Sequence, residues 1–242
     1  MAGTVRVGIS GWRYPAWRGD FYPKGLPQRR ELEYAGEHLT SIEINGSFYS
    51  LQRPTSYAAW RGDVPDDFVF AVKGPRYVSH LKRLKDVEVP LANFFASGLL
   101  GLGTTLGPVL WQLPENFHRD DDRLGAALER LPPGRHCFEF RHAGWFAEPV
   151  YDLLRRHGVA LVYGDDPRRP FQALELTADW TFIRFHRGRR GRRGNYSETE
   201  LREWAARIRD LRDTVEVFAY FNNDWEGFAP RNARRLRSLL GR

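Results

Sequence analysis

Eight short apolar segments, each ending in polar residues, constrain this chain more than any other feature of its sequence. They cover residues 5–10, 41–47, 68–74, 107–113, 136–142, 159–165, 180–186 and 215–222. Several alternate apolar and polar residues with period two, the pattern of a strand with two distinct faces. Helical patterns over 29–39, 54–60, 90–100, 120–131, 148–157, 197–211 and 230–240 fall between most of them. Pro54 sits in the first turn of its helix. Three aspartates open 120–131, and Arg155, Arg156 and His157 precede Gly158 at the end of 148–157. Ser197 with Glu200 forms a capping box. The stretch after Asp165 carries no helical pattern, so the sixth helix is expected to be short or missing.

Strands that alternate with helices pair in parallel. With 242 residues, the chain is close to the ~250 of a (β/α)8 barrel. The expected fold class is therefore α/β, a single TIM-type barrel spanning 1–242. The competing architecture is an open doubly wound sheet. Against it, the first strand runs through Gly8-Ile9-Ser10-Gly11 into aromatics and carries no dinucleotide-binding glycine pattern.

Barrel enzymes of this type work at the C-terminal ends of their strands. Alternation sends Phe70, Val72, Phe138, Phe140, Ile183, Phe185, Ala219 and Phe221 outward. It sends Glu43, Asn45, Lys73, Gln112, Glu139, Arg141, Tyr163, Asp165, Arg184, His186, Tyr220 and Asn222 into the lumen. So many ions cost several kcal/mol each to bury without compensation, and a cavity holding water and a ligand explains them more easily than scaffolding does. Each also has a plain structural alternative, since Glu139 and Arg141 could pair with each other or with Arg184.

His186, Glu139 and Asp165 are the candidates for moving protons, with Asp165 orienting His186. Lys73, Arg141 and Arg184 are the candidates for holding an anion, and Asn45, Gln112, Asn222 and Tyr220 for contacting substrate. A lysine in a partly apolar lumen can also serve as a nucleophile, and its structural alternative is an ion pair with Glu43 or Glu139. His80 and His142 follow their strands and are weaker candidates. Glu139, Asp165 and His186 could form a carboxylate-rich divalent-metal site. The adjacent cations oppose it and no zinc motif exists, so no cofactor is expected. Gln112 and His186 stand where barrel glycosidases commonly carry carboxylates, which disfavours that chemistry.

Trp12, Tyr14, Trp17, Phe48, Tyr49, Tyr77, Trp145, Tyr196 and Trp225 all follow strands and would form an aromatic rim. Trp12 and Tyr49 are the rim residues most expected to touch substrate. Arg187-Gly188-Arg189-Arg190-Gly191-Arg192-Arg193-Gly194 adds a basic glycine loop. Aromatic faces stack on bases and arginines contact phosphates. The formal charge of +7 comes with only four lysines among 37 basic residues. Such an arginine excess fits phosphate recognition and fits a GC-rich genome equally well. The expected partner is an anionic small molecule or a nucleic acid. No apolar run approaches the ~20 residues of a membrane span, and a single cysteine, Cys137, fits a reducing cytoplasm.

Several blocks resemble the YecE-like family, a domain of unknown function numbered seventy-two. They are Val7-Gly8-Ile9-Ser10-Gly11-Trp12, Glu43-Ile44-Asn45-Gly46-Ser47-Phe48-Tyr49 and Phe70-Ala71-Val72-Lys73-Gly74-Pro75-Arg76. Gln112-Leu113-Pro114, Phe138-Glu139-Phe140-Arg141-His142 and Tyr220-Phe221-Asn222-Asn223-Asp224 continue the match to near the end of the chain. Gly46-Ser47 and Ser79 depart from the serine–threonine and threonine of the family pattern. The resemblance implies a TIM-type barrel and leaves the reaction open. Two readings follow: an enzyme of hydrolase type acting on a phosphorylated or nucleotide-containing substrate, and a non-catalytic nucleic-acid binder using the rim.

Overall fold

The computed structural model describes residues 3–241, so the first two residues and the last of the expected 1–242 domain lie outside it. Eight strands close a barrel in chain order: β1 (Val5–Ser10), β2 (Ser41–Ile44), β3 (Val69–Lys73), β4 (Leu106–Gln112), β5 (His136–Glu139), β6 (Ala160–Asp165), β7 (Trp180–Phe185) and β8 (Glu216–Phe221). All neighbours pair in parallel, and the ring closes where Val5 to Ile9 pair with Val217 to Phe221. Gly8 lies at this closure, where a Cβ would stand 2.0 Å from the Ser41 carbonyl oxygen.

The helices are α1 (Glu31–His38), α2 (Gly46–Tyr49), α3 (Pro54–Gly62), α4 (Glu88–Ala96), α5 (Asp121–Leu128), α6 (Glu148–Arg156), α7 (Glu198–Arg212) and α8 (Phe228–Leu239). The local signals read in the sequence operate as expected. Asp120 accepts the Arg123 N–H, Ser197 and Glu200 close a capping box on α7, and Gly158 leaves α6 at φ +62°.

No helix joins β6 to β7. The connecting loop compensates through Thr177, whose hydroxyl donates to the Val159 carbonyl at 2.7 Å and accepts the Leu161 N–H at 2.8 Å. A buried Asp166, paired with Arg168 and Arg169, ties the start of that loop.

Period-two alternation separates two cores. Between barrel and helices lie Ile42, Ile44, Phe70, Val72, Phe138, Phe140, Ile183, Phe185 and Phe221. Inside the barrel lie Ala71, Leu110, Cys137, Val162, Phe182, Phe218 and Tyr220. This apolar filling occupies the lower and middle lumen, so polar chemistry is confined to the C-terminal layer.

Candidate functional site

Strands β2, β5 and β7 each raise one charged side chain into the upper lumen. Arg184 donates through Nη2 to Glu43 at 2.7 Å and through Nη1 to Glu139 at 2.6 Å, and all three side chains are at most 1% exposed. Burial opposes charge on Arg184, but the two carboxylates outweigh it and hold the guanidinium above its ordinary pKa. Burial likewise pushes the Glu139 carboxyl up, while Arg141 and Arg184 hold it well below the usual range. Arg141 joins the group from the strand end, reaching Glu139 Oε1 at 3.2 Å.

His186 lies one residue beyond β7. Its Nε2 is 2.8 Å from Glu139 Oε1 and its Nδ1 is 3.2 Å from the Asn222 amide nitrogen. A carboxylate only accepts, so Nε2 carries the proton, and Nδ1 accepts from Asn222 in the neutral ring. Burial lowers the imidazole pKa against the pull of Glu139, and Arg184 and Arg141 lower it further. The histidine is therefore held neutral, with its basic nitrogen facing the Asn222 amide.

Lys73 closes β3. Its Nζ donates to Gln112 Oε1 at 2.8 Å and lies 4.2 Å from the centroid of the Phe48 ring. Its partner is thus a neutral amide, in place of the ion pair with Glu43 or Glu139 weighed from the sequence. Burial first, then the charge of Arg184, lower its pKa to about 8, with Glu43 and Glu139 opposing.

These positions can be set beside known proteins. A family model described as protein of unknown function DUF72 matches residues 6–242. The chain belongs to the DUF72 family. It is similar to the UPF0759 protein YunF of Bacillus subtilis, at 23% identity over 98% of this chain and 94% of that protein. It is also similar to the UPF0759 protein YecE of Escherichia coli, at 29% identity over 64% of this chain and 55% of that protein. Among solved structures, a DUF72 family protein from Thermotoga maritima superposes with a TM-score of 0.88 at 30% identity, covering 99% of this chain and 100% of that one.

Within this DUF72 barrel, two residues expected in the lumen, Asp165 and Tyr163, face outward instead. Asp165 points away from the lumen: Trp204 Nε1 of α7 donates to its Oδ2 at 2.8 Å. Tyr163 shares that outward face and packs in the outer core. Ala160 and Val162 hold the lumen instead, because a one-residue choice of phase flips every side chain of a strand. Asp165 therefore neither orients His186 nor completes a metal trio with Glu139 and His186. No group of three or more His, Cys, Asp or Glu side chains among the described residues is arranged to hold a metal.

Tyr220 does face inward, but a layer too deep, stacked on Phe182 with its hydroxyl 2.6 Å from Ser41 Oγ. Arg184 is sealed beneath the mouth and cannot itself meet a ligand. Trp12 is buried edge-on against Trp60 of α3, although it still lines a cleft of about 340 Å³ together with Asn45. Asn45 is half-buried, and its Oδ1 has no partner among the described residues.

The aromatic rim is divided. Trp17, Trp145 and Tyr196 are buried as packing, whereas Tyr49, Tyr77 and Trp225 are exposed. The arginine loop is built into the fold. Gly188 N–H donates to the Gly194 carbonyl, and Glu200 accepts the Arg189 and Arg190 amides. Arg190 pairs with Glu203, and Arg193 with Glu226. His142 stacks on His118 and caps the Gly144 amide.

His80 meets the same Phe48 ring as Lys73. It packs edge-on to Phe48 at 5.0 Å, and burial together with Lys73 and Arg141 lowers its pKa to about 4. Gln172 carries no sequence signal of its own. It packs against Gly164, where a Cβ would meet its Oε1 at 2.1 Å. Both come from loops whose path no strand alternation specifies.

Proposed function

We propose that this DUF72 barrel is an enzyme acting on a phosphorylated or nucleotide-containing small molecule, in a hydrolase-type reaction at the C-terminal mouth. The observation that carries this reading is the charge left over once the buried lattice is counted. Glu43 and Glu139 contribute −2, while Lys73, Arg141 and Arg184 contribute +3, so with His186 neutral this cluster holds +1. The surplus belongs to Lys73, whose partner is an amide, and Arg141 lies at the rim of the same group. A cation in a partly desolvated cavity attracts an anion far more strongly than one on the surface.

His186 supplies the second half. Glu139 orients Nε2–H, as the carboxylate of a triad orients its histidine, and Nδ1 is left as the proton acceptor once substrate or water displaces the Asn222 contact. In hydrolysis Nδ1 would take the proton of the attacking water as its oxygen bonds to phosphorus and the ester P–O bond breaks, and the imidazolium would return that proton to the departing alkoxide while Lys73 and Arg141 hold the phosphoryl oxygens. Gln112 fixes the lysine in place.

Turnover of a panel of phosphate esters tests the reading, with inorganic phosphate titrated at low salt alongside. Wild-type protein should bind phosphate, and Lys73→Met with Arg141→Met should abolish that binding. His186→Ala should remove turnover while leaving binding intact. Absence of both phosphate binding and turnover in the wild type would sink the reading.

A further inference from the structure

A broad cleft opens beside the mouth. It measures about 510 Å³ and lies between α2, the turn at Tyr77–Leu81 and α4. We propose that it is a nucleobase pocket, so that the substrate of the reading above, on which this inference rests, is a nucleoside 5′-phosphate.

Three observations point to a base. Tyr49 and Tyr77 line the cleft with 72% and 50% of their surface exposed, and Tyr49 meets Phe48 in a T-shaped contact, so two largely open aromatic rings stand at one cavity. Planar heterocycles stack on such faces whatever their identity. Asn93 of α4 and Ser50, just after α2, also line the cleft. An exposed amide offers a donor and an acceptor together, the pattern that meets a base edge. The charged lining is Arg76 and Lys82 against Asp86, a net +1, which suits a ligand carrying phosphate and opposes a basic one.

A fourth observation fixes direction. Phe48 is a shared wall: it lines the cleft, while Lys73 Nζ stands 4.2 Å from its ring centroid and His80 meets its edge. A ligand stacked in the cleft would thus bring its phosphate round Phe48 to Lys73 and Arg141. Between the lining residues Lys82 and Asp86 the backbone is strained, with Arg83, Leu84 and Asp86 at φ +48°, +64° and +48°. Non-glycine residues persist there only where surrounding structure imposes it, as at ligand clamps.

Calorimetric titration of AMP, GMP, CMP, UMP, ribose 5-phosphate and inorganic phosphate tests the assignment. At least one nucleotide should bind about tenfold or more tighter than ribose 5-phosphate. Tyr49→Ala and Tyr77→Ala, both at exposed positions, should erase that preference and leave ribose 5-phosphate affinity within about twofold, while Lys73→Met weakens every phosphate ligand. Equal affinity for all four nucleotides and ribose 5-phosphate would overturn the nucleobase pocket and leave the phosphate-binding mouth standing. A preference that survives both tyrosine variants would overturn it too, as would binding of a single-stranded oligonucleotide where no mononucleotide binds. Failure of every ligand, inorganic phosphate included, would overturn both readings.

Discussion

Arg184 joins Glu43 to Glu139 across the top of the barrel, at 2.7 and 2.6 Å, with all three side chains sealed from solvent. Strands β2, β5 and β7 are thereby tied through a single guanidinium, although 141 residues separate Arg184 from Glu43 in the chain. The pairing is economical only while complete, because removing one partner leaves an uncompensated buried charge. Arg184→Met should cost about 3–5 kcal/mol in urea or guanidinium denaturation. A loss below about 1 kcal/mol, in the range of an exposed pair, would contradict the geometry.

His186 gives a pH dependence of opposite sense to that of a salt-bridged histidine. Its pKa is lowered in the folded barrel by burial, against the opposing Glu139. The unfolded chain therefore binds the proton first, and stability should fall as pH drops below the ordinary histidine value of about 6.5. His186→Gln should flatten that slope. Nitrogen NMR at neutral pH should find the ring protonated on Nε2, and a Nδ1–H tautomer would refute the proposed role of Glu139.

Lys73 titrates at the other end of the scale. With a folded pKa of about 8 against 10.5 for an ordinary lysine, the unfolded state holds more protons between those values. Stability should consequently rise with pH across that window, by an amount of order 3 kcal/mol. Lys73→Met should lack the rise. Over the same range the wild-type mouth loses its surplus charge, so phosphate affinity should fall above pH ~8. An affinity independent of pH from 7 to 10 would remove Lys73 from the anion site.

Asp165 should prove dispensable to the mouth. Its carboxylate serves the Trp204 indole on α7. Asp165→Asn should therefore preserve phosphate binding and cost about 1 kcal/mol in stability, from a hydrogen bond weakened on the helix side. A large loss of ligand affinity with unchanged stability would return Asp165 to the site.

Tyr220→Phe separates depth from function in the same manner. The hydroxyl contacts Ser41 in the middle of the lumen, so its removal should cost about 1 kcal/mol and leave ligand affinity at the mouth unaltered. An affinity change would show that the middle layer communicates with the site.

Much of this was legible from residues alone. Apolar segments of period two, interrupted by helices with their own caps, dictate parallel strands, and the missing sixth helix showed as a missing pattern after Asp165. Of the seven strands whose faces alternation assigned, six took the expected phase, which put Glu43, Glu139, Arg184, Lys73 and Gln112 in one lumen. Strand β6 failed because Tyr163 and Asp165 suit either face, and nothing local decides between them. The strand ends also ran shorter than expected: β2 stops at Ile44 and β5 at Glu139. Beyond the last ladder hydrogen bond the backbone is free to turn.

The eight strands that end in polar residues thus settled, through periodicity and length, the barrel, its orientation and the layer where chemistry must lie. Local forces fix these quantities: backbone hydrogen bonding, helix capping and the burial of alternate side chains. Only the tertiary structure decided which charges cancel. Arg184 was spent on two carboxylates, Lys73 was left to an amide, and Phe48 came between the lysine and an open cleft. Those outcomes depend on distances between strands and loops far apart in the chain, and electrostatic energy varies too steeply with distance and burial for sequence pattern to specify it.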